Sequence, residues 1–353
     1  MIWITFLYNK ERKWARRHFL KGLRMASAAS AFPLKSTTDH LPEPEAIQSA
    51  PLNNANTQQT AGSPARPQLR LGRAATVAEG LNWLNLTTIT LFHAGALAAF
   101  FFFTWQRIAV MAAIYVLAIN VGIGMCYHRL LTHRGYQVPR WIEYVMTFFA
   151  TLSLEGGPIF WVSTHRLHHQ LSDKPGDPHS PREGGWWAHA GWIVFGHSLH
   201  AQTAALNRFS PDLARDRYHV WLNKYHWLPI VFSALLLVTL GWVTGGPMNA
   251  VGMLLWGVFL RVVLGHHATW LVNSATHMWG SRRFPTHDDS RNNWWVALLT
   301  GGEGWHNNHH ANPVSARHGL AWYEIDPNFW GIWILARLGL ARKIYSARLH
   351  PAK

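Results

Sequence analysis

The chain has 353 residues, of which 49% are hydrophobic and only 14% are charged, and its net charge is +15. Its single cysteine, Cys126, excludes a disulfide framework and a paired-cysteine redox motif. The basic charge suits either a nucleic-acid binder or a membrane protein with basic cytoplasmic loops, and the long apolar runs described below favour the membrane protein.

The first part of the chain, residues 1–77, is predicted to be a basic, disordered extension. A basic cluster, Lys10–Arg17, is followed by a stretch rich in Ala, Pro, Ser, Thr, Asn and Gln without hydrophobic periodicity. The apolar Met1–Tyr8 precedes the basic cluster, which reverses the order of a signal peptide. We expect a membrane domain over residues 78–345 and a tail over residues 346–353.

Four apolar stretches are predicted to cross the membrane as two hairpins. The first hairpin joins Leu84–Phe103 to Ile108–Met125, and the second joins Trp227–Val243 to Met248–Leu271 through Thr244–Pro247. The alternative for each stretch is a buried helix of a soluble protein. Nearly all charges lie outside the two turns, so the positive-inside rule places both termini and the region between the hairpins in the cytoplasm.

Three further apolar segments are interrupted or amphipathic and are predicted to lie at the membrane interface. They are Trp141–Leu154, Trp186–Leu199 and Phe329–Leu340. Ionisable residues interrupt the last predicted span, at Arg261, His266 and His267. These three residues either face a protein interior at membrane depth or lie at or beyond the lipid surface.

Three histidine-rich motifs lie outside the membrane stretches. The first box is His128–His133 (HxxxxH), the second is His165–His169 (HxxHH) and the third is His306–His310 (HxxHH). Histidines at i, i+3 and i+4 share one face of a helix, so the second and third boxes can each present three imidazoles to one region. His128 and His133 are five residues apart and fit best where a helix ends or distorts.

A further pair, Asn273 and His277, lies where the last span ends and shares a face if helical. One HxxHH motif alone arises by chance in a chain with 23 histidines. The boxes and His277 together supply nine imidazoles, which exceeds the roughly four ligands of a single zinc ion and suits two metals. The lone cysteine and the few nearby carboxylates argue against iron–sulfur and carboxylate-bridged centres. The boxes all fall on the predicted cytoplasmic side.

These motifs resemble those of the membrane fatty-acyl desaturases, the stearoyl-CoA desaturase-like family, and most of all its delta-9 type from bacteria, cyanobacteria and plants. The similarity runs from about Asn82 to Gly339. The longer matching segments are His165–Gln170, Gly176–Pro181, Asn273–Gly280, Asp289–Trp295 and Gly302–His310. The haem motif His-Pro-Gly-Gly of a fused cytochrome b5 does not occur in the sequence, so the resemblance implies a separate electron donor.

The resemblance implies an all-α integral membrane fold, with four transmembrane helices in two hairpins and a cytoplasmic helical cap that holds a di-iron centre. It implies two Fe²⁺ ions, each with its own set of ligands. One iron would be held by His128, His133, His165, His169 and His310, and the other by His168, His277, His306 and His309, with Asn273 reaching it through a water.

The implied reaction inserts a cis double bond, at the delta-9 position, into a saturated acyl chain carried on CoA or on a lipid. It consumes O2 and two electrons from an external carrier of the ferredoxin or cytochrome b5 type, which the basic cytoplasmic surface would dock. That charge also follows from the positive-inside rule alone. The alternatives are a fatty-acid or alkane hydroxylase with the same site, a zinc hydrolase with fewer histidines and a carboxylate base, and a non-enzymatic metal-binding or transport protein with ligands along a path across the bilayer.

Several residues are predicted to line or support the site. The small residues Ala112 and Val116 lie about three to four turns before His128 and are predicted to set the depth of an acyl tunnel, with ordinary helix packing as the alternative. Trp161, four residues before His165, is predicted to line the same tunnel.

Three carboxylates are candidates to orient ligating imidazoles through the second ring nitrogen. They are Asp173, Asp177 and Glu303. Asp177 alternatively caps the turn at Pro178.

Overall fold

The computed structural model describes residues 71–196 and 207–348, and over these residues the protein is helical, with β structure limited to isolated bridges. The predicted extension (1–77) and tail (346–353) lie mostly outside the described residues. In chain order the α-helices are Arg73–Val77, Trp83–Ala99, Trp105–Tyr115, Arg140–Thr151, Pro158–Leu171, Trp192–Val194, Pro211–Ala214, Arg217–Lys224, Leu228–Leu254, Arg261–Asn273, Ala275–Met278, Trp294–Thr300, His306–Ala311 and Pro327–Arg337. Phe100–Phe102 and Pro181–Glu183 are 3₁₀-helical, and Val116–Thr132, Trp187–Gly191 and Leu255–Leu260 are π-helical.

Within the part of the chain that the structure describes, three helical segments are long and apolar enough to cross a membrane. They are the first apolar segment, Trp83–Phe102, the second, Trp105–Thr132, and the third, Leu228–Met278. Their surfaces expose large apolar side chains, including Leu91 at 60% and Phe101 at 89%. An apolar surface of this extent needs a lipid or protein partner, so the fold is that of a membrane protein.

The third apolar segment is broken inside the predicted turn Thr244–Pro247. Gly245 and Gly246 have non-helical backbone angles, and Gly246 has a φ of 72°, which favours glycine. The chain reverses there. The hydrogen bond from the Asn249 side-chain amide to the Gly241 carbonyl, at 3.1 Å, shows that the two arms lie side by side. The two arms pack together through Leu237 and Met253, which lie in one buried cluster.

Arg107 links the turn between the first and second apolar segments to the turn within the third. Its guanidinium donates to the Phe102 carbonyl and, at 2.8 Å, to the Asn249 side chain. Arg107 itself lies in the first turn of its helix, which Thr104 caps by accepting from the Arg107 amide. The Arg107 cation thereby satisfies the Phe102 carbonyl, which the end of the first helical segment leaves free, and the Asn249 side chain.

The helix predicted over Trp141–Leu154 is observed as Arg140–Thr151. Its inner face buries Ile142, Met146 and Ala150, while Trp141 is exposed. It packs so closely on the second apolar segment that a Cβ on Gly122 would lie 2.4 Å from the Ala150 Cα. The predicted segment Phe329–Leu340 appears as the helix Pro327–Arg337, and Trp186–Leu199 is helical up to Val194, with Leu199 outside the described residues.

Candidate metal centre

The first box lies at the carboxyl end of the second apolar segment, where the helix is π-helical. The His133 amide donates to the His128 carbonyl at 3.2 Å, which is an i→i+5 hydrogen bond. This wider turn brings residues five apart onto one face, and the two imidazole centroids lie 4.9 Å apart. The prediction that this box needs a distorted or ending helix is confirmed.

The second box lies on the helix Pro158–Leu171. Pro158 occupies its first position, where the missing amide proton costs nothing. The start of the helix is fixed against Asn223, whose side chain accepts from the Phe160 amide at 3.0 Å. A Cβ on Gly157 would lie 2.4 Å from the Asn223 Cα, so only glycine allows this approach.

The third box lies on a helix of six residues, His306–Ala311. A helix this short is not stable alone, so neighbouring groups must hold it. The Trp305 indole donates to the Ile325 carbonyl at 2.8 Å, and the buried Asn308 amide donates to the His318 carbonyl and to Glu324.

The nine predicted histidines come together in two groups, in each of which one nitrogen per residue lies within 4.8 Å of the others. The first group is His128, His133, His165, His169 and His309, and the second is His168, His277, His306 and His310. The assignment implied by the resemblance was wrong for two residues, because His309 lies in the first group and His310 in the second.

Helix geometry gives the reason for this exchange. In an α-helix the residue at i+4 lies about 40° from residue i, whereas the residue at i+3 lies about 60° away on the other side. His165 and His169 therefore enter one group together while His168 enters the other. In the third box His306 and His310 form the matching pair, and His309 reaches across to the first group.

Carboxylates bind Nδ1 of four of these histidines. The pairs are His128 with Glu303 at 2.6 Å, His168 with Asp177 at 3.0 Å, His277 with Asp173 at 2.7 Å and His310 with Asp288 at 2.6 Å. A carboxylate only accepts, so each ring carries a proton on Nδ1, and when neutral it leaves the Nε2 lone pair free.

The predicted contacts of Asp173, Asp177 and Glu303 with the predicted ligand histidines are confirmed. Asp177 also accepts from the backbone amides of Asp173 and His179, so it caps the turn as well. Sequence reasoning missed Asp288. Its position directly before the matching segment Asp289–Trp295 could have identified it.

The chemistry of the converging nitrogens fits bound metal ions. His128 Nε2 lies 3.1 Å from His309 Nε2, and His306 Nε2 lies 3.1 Å from His277 Nε2. Lone pairs this close repel unless a proton or a cation lies between them. His133 Nε2 and His310 Nε2 are buried without a hydrogen-bond partner. Neutral imidazole donors suit Fe, Cu, Ni or Zn, so the residues fit the implied iron.

Burial holds most of these imidazoles in the neutral form that binds metal. Desolvation lowers the pKa of several rings well below the ordinary value, and neighbouring histidines lower it further. These rings are His133, His165, His169, His306 and His309. His168 differs, because burial lowers its pKa but the Asp177 carboxylate outweighs burial and raises it.

The supporting carboxylates remain ionised although they are buried. Burial alone would raise the pKa of Glu303, but the Arg129 guanidinium lowers it well below its usual range. Arg129 is fully buried and also donates to Asp326 at 3.0 Å, so one cation serves two carboxylates. The pKa of Asp173 is likewise raised by burial and lowered more strongly by His277.

Two further histidines adjoin the groups, and sequence reasoning did not single them out. His318 Nδ1 lies 3.0 Å from Glu303, and its ring centroid lies 4.5 Å from that of His309. The His179 ring lies 4.5 Å from the His168 ring. His318 shares Glu303 with His128, and His179 shares Asp177 with His168. His179 lay within the matching segment Gly176–Pro181, which was the available signal.

A cavity of about 470 Å³ adjoins the first histidine group. His165 and Asn273 form part of its wall, so it reaches two of the predicted metal ligands. Trp161 lines it and stacks on the His165 ring at a centroid distance of 5.1 Å. Most of the remaining wall is apolar or aromatic, which suits a hydrocarbon chain.

Glu155 is the one acidic residue in the wall of this cavity. The Trp161 indole donates to one of its oxygens at 3.1 Å and the Thr269 hydroxyl to the other at 2.9 Å. Burial raises the pKa of Glu155 to about 7. The carboxyl therefore joins two walls of the cavity and resists ionisation below neutral pH.

Ala112 and Val116 do not line this cavity. Both are exposed on the outer surface of the second apolar segment, and Val116 is 50% exposed. The neighbouring Ile114 and Ala118 face the protein instead. The structure therefore does not bring the two small residues together with the predicted tunnel residue Trp161.

Comparison with known proteins identifies the family. Residues 104–338 match the fatty acid desaturase family. A "sn-2 palmitoyl-lipid 9-desaturase" of Nostoc sp. (strain 36) is 44% identical over 268 residues, which are 76% of this chain and 91% of that protein. The chain belongs to the fatty acid desaturase family.

Other desaturases are nearly as similar. A "sn-1 stearoyl-lipid 9-desaturase" of Anabaena variabilis is 43% identical over 75% of this chain and 94% of that protein. A "Palmitoyl-monogalactosyldiacylglycerol delta-7 desaturase, chloroplastic" of Arabidopsis thaliana is 39% identical over 71% of this chain and 66% of that protein. Membership makes this desaturase-family chain an oxidoreductase of lipid metabolism.

Proposed function

We propose that this protein is an acyl-lipid delta-9 desaturase, which inserts a cis double bond into a saturated fatty-acyl chain. Two irons would be held by the nine histidines of the two groups, with Asn273 beside the second. The observation that carries the proposal is the largely apolar cavity whose wall includes His165 and Asn273. A metal centre at the wall of a hydrocarbon-sized cavity suits oxidation of an unactivated methylene.

The substrate class follows from the relatives and from the cavity. The most similar proteins cited above are named for lipid-borne acyl chains and, in two cases, for the delta-9 position. The cavity also reaches Leu84 and Trp227, at the starts of the first and third apolar segments, so it is close to the lipid. We infer that the acyl chain enters from the membrane while still attached to its lipid.

The proposed topology has four crossings in two hairpins. The third apolar segment supports it, because its reversal at Gly245 and Gly246 divides it into two arms. The helices that carry the second and third boxes would then form a cytoplasmic cap at the ends of these segments, within a domain over residues 78–345. Residues 1–77 would be an extension outside that domain, and residues 346–353 a tail.

When bound, the two irons would supply the electrons and the oxidising power that activation of O2 requires. The chain itself has three tasks. The buried, neutral imidazoles keep the ligand atoms unprotonated, and the ionised carboxylates fix the ring orientations. The aromatic cavity wall excludes water and positions the methylenes next to the metal centre.

Electrons must come from outside the chain. We propose a one-electron carrier of the ferredoxin or cytochrome b5 type that docks on the cap. The net charge of +15 supports an acidic partner. The cap also exposes Arg182 and Arg282, which would face such a carrier.

The proposal is tested by expression in a host without its own desaturase but with a compatible reductase. Lipid fatty acids are analysed by mass spectrometry with localisation of double bonds. Delta-9 monoenes are expected from the wild-type chain and absent from His309→Ala. His287→Gln, an exposed histidine outside the groups, serves as control and should keep full activity. Hydroxy acids would indicate a hydroxylase, and unchanged lipids with an active donor would favour a metal-binding protein; either result contradicts the proposal.

A further inference from the structure

The short helix that precedes the third box exposes an apolar face. It spans Trp294–Thr300, and residues 294–302 contain no charged side chain. Trp294 is 69% exposed and Leu298 is 67% exposed. Large apolar side chains that cluster on a surface mark contact with lipid or with another protein. The neighbours of this helix decide between the two.

The helix contacts the second apolar segment in mid-span. The Tyr115 hydroxyl donates to the Leu299 carbonyl at 2.8 Å. Tyr115 is the last of the 11 residues of the α-helix that begins this segment at Trp105. At a rise of 1.5 Å per residue it lies about 15 Å along the segment, and the hydrocarbon core of a bilayer is about 30 Å thick. In the proposed topology the Leu299 carbonyl therefore lies near the middle of the bilayer.

The first apolar segment gives the same depth. It spans Trp83–Phe102 in 20 residues, which is the length of one membrane crossing. Phe92 lies at its middle and packs, together with Ile114, against one buried apolar cluster. Ile114 directly precedes Tyr115. The contact with Leu299 is thus level with the middle of two membrane segments.

Beyond the helix the chain turns back inside the protein. Gly301 and Gly302 have φ angles of 67° and 119°, and both are buried. The Asn328 amide donates to the Gly301 carbonyl at 3.0 Å, and the Asn328 side chain donates to the Thr300 carbonyl at 3.1 Å. The Gly302 amide donates to the Ala297 carbonyl at 2.8 Å. Protein groups thereby satisfy the end of the helix, which is what irregular backbone at membrane depth requires.

A second helix lies beside this turn and nearer the membrane surface. Asn120, farther along the second apolar segment, donates to the Asn328 side chain at 2.9 Å. Asn328 belongs to the helix Pro327–Arg337, whose exposed face includes Trp333. At the end of that helix the Arg337 guanidinium lies 4.7 Å from the centroid of the Trp333 ring. Tryptophan is enriched at the membrane–water interface, and arginine near a helix end extends to it. The helix before the third box is therefore the deeper of the two.

We propose that Trp294–Thr300 is a re-entrant helix that dips into the cytoplasmic half of the bilayer and turns back at the glycine pair. Its exposed Leu298 and Leu299 contact the acyl chains of bilayer lipids. The occupant is lipid, because the helix continues the outer surface of a membrane segment at a level where Val116 is itself 50% exposed. This inference rests on the proposed two-hairpin topology and goes beyond the proposed reaction.

The position of this helix bears on the metal centre. The chain returns from the glycine turn directly into the third box, His306–His310. The two sides of the turn are joined at their base, where the Asn293 amide donates to the Gly304 carbonyl at 2.8 Å. The bilayer thereby helps to hold the third box in place.

Spin labels on single cysteines measure the depth directly. Leu298→Cys and Trp322→Cys are labelled with a nitroxide in the full chain, which is reconstituted into phosphatidylcholine nanodiscs. The native Cys126 is fully buried, and the wild type treated in the same way measures any background. At position 298, collisions with O2 should persist and collisions with a polar nickel complex should be lost, because hydrocarbon excludes polar solutes. At position 322 the nickel complex should collide freely.

Two results would overturn the proposal. Equal collision rates with the nickel complex at positions 298 and 322 would mean that the helix faces water. Loss of collisions with both reagents at position 298 would mean that a protein partner or a second copy of this chain covers it.

A third label gives the order of depth. Ile334→Cys lies on the exposed face of the neighbouring helix, which contacts the second apolar segment farther along than Tyr115 does. Its label is expected to lie nearer the membrane surface than the label at position 298. The reverse order would contradict the dip of Trp294–Thr300.

An acidic side chain tests the same surface through stability. Leu298→Asp places a charge at membrane depth, so Tm in the nanodiscs is expected to fall and bound iron to be lost. Trp322→Asp adds the same charge to the cap and should change neither. An unchanged Tm in Leu298→Asp would overturn the re-entrant helix, and a lower Tm with full iron would contradict its link to the third box.

None of these measurements requires turnover, so they separate this inference from the proposed reaction. A wild-type chain that does not desaturate lipids, combined with a label at position 298 in hydrocarbon, would contradict the proposed function and leave the re-entrant helix intact.

Discussion

The four histidine–carboxylate pairs fix the proton position and the orientation of four rings in the two histidine groups. Each carboxylate takes the Nδ1 proton and thereby directs Nε2 toward the other ligands. Asp173 has the additional task of accepting from the Asp289 amide and the Ser180 hydroxyl, at 2.8 Å each. It connects the loop after the second box with the loop after His277.

Asp173→Asn is expected to weaken metal binding about 10- to 100-fold, because an amide holds the His277 tautomer less firmly than a carboxylate does. The measurement is the iron content of purified protein during titration with a competing chelator. Asp289→Asn is the control, since its carboxylate bonds the exposed Arg182 and no box histidine. Equal chelator resistance in Asp173→Asn and wild type would refute the orienting role.

Glu155→Gln tests the buried carboxyl in the cavity wall. The pKa of Glu155 is raised from its ordinary 4.5 to about 7, so the folded state favours the neutral acid. The free energy of unfolding should therefore fall as pH rises from about 4.5 to about 7. Above about pH 7 the buried carboxylate is charged, and the loss of stability is complete. The glutamine can still accept from Trp161 and donate to Thr269.

The measurement is Tm between pH 5 and pH 8.5. Glu155→Gln should exceed wild type in Tm at pH 8.5, and the difference should shrink toward pH 5. Glu183→Gln removes a carboxylate that bonds Arg73 outside the cavity, and it should not reproduce this pattern. A pH-independent difference would show that the carboxyl does not titrate as described.

The sequence identified the nine histidines that converge but not how they divide between the two groups. Shared helix faces predict that His309 and His310 both point toward the site, but they leave open which group each ring joins. Ala112 and Val116 were chosen because they are small, and they proved to be exposed. A span that is apolar all round carries no pattern that separates its protein face from its lipid face.

Among the elements, the π-helical turn before His133 links the second apolar segment to the histidine groups. The second apolar segment is helical as far as Thr132 and carries His128 near its end. Close packing keeps this end in position. A Cβ on Gly124 would lie 2.1 Å from the Asn328 amide nitrogen and 2.9 Å from Glu303 Oε1, the carboxylate that holds His128.

Gly124→Ala is therefore expected to destabilise the protein by about 1–3 kcal/mol and to lower its iron content, because the added methyl displaces Glu303. Tm and iron per chain are measured together. The matched control is Gly265→Ala in the third apolar segment, where the added methyl meets the movable Ile119 Cδ1 at 2.8 Å. Similar iron content in the two variants would contradict the link between Gly124 and the centre.

Elements were predictable where composition carries a strong signal. The apolar runs, the Thr244–Pro247 turn and the amphipathic segments all correspond to observed features. The limits and position of the short third-box helix were not predictable, because His306–Ala311 has little helix-forming tendency of its own. Its position depends on Asn308 and Trp305, whose partners are distant in sequence.

At the scale of the whole molecule, the ligands come from separated parts of the chain and meet only through the fold. The second apolar segment brings the first box, the third brings His277, and the cap brings the other two boxes. This arrangement requires the ends of both membrane segments to lie on one side of the membrane. The two turns would then lie together on the other side, which agrees with the bond from Arg107 to Asn249.

The topology is tested by cysteine labelling, since the only native cysteine, Cys126, is fully buried. Met248→Cys, beside the turn of the third segment, should react with a membrane-impermeant maleimide added to intact cells. Trp322→Cys, which replaces a side chain that is 93% exposed on the cap, should react only after permeabilisation. The same accessibility for both cysteines would contradict two hairpins with a cytoplasmic cap.

In the proposed reaction, the metal ions held by the two histidine groups would remove one hydrogen from each of two adjacent methylenes of a lipid-borne acyl chain. The most direct measurement feeds stearate with four deuterium atoms at C9 and C10 to cells that express the protein, and then determines deuterium content and double-bond position in the lipids. We predict a cis delta-9 monoene that retains two deuterium atoms, and none of it in His309→Ala. A hydroxylated chain that retains three deuterium atoms, or a saturated chain that retains all four, would contradict the account.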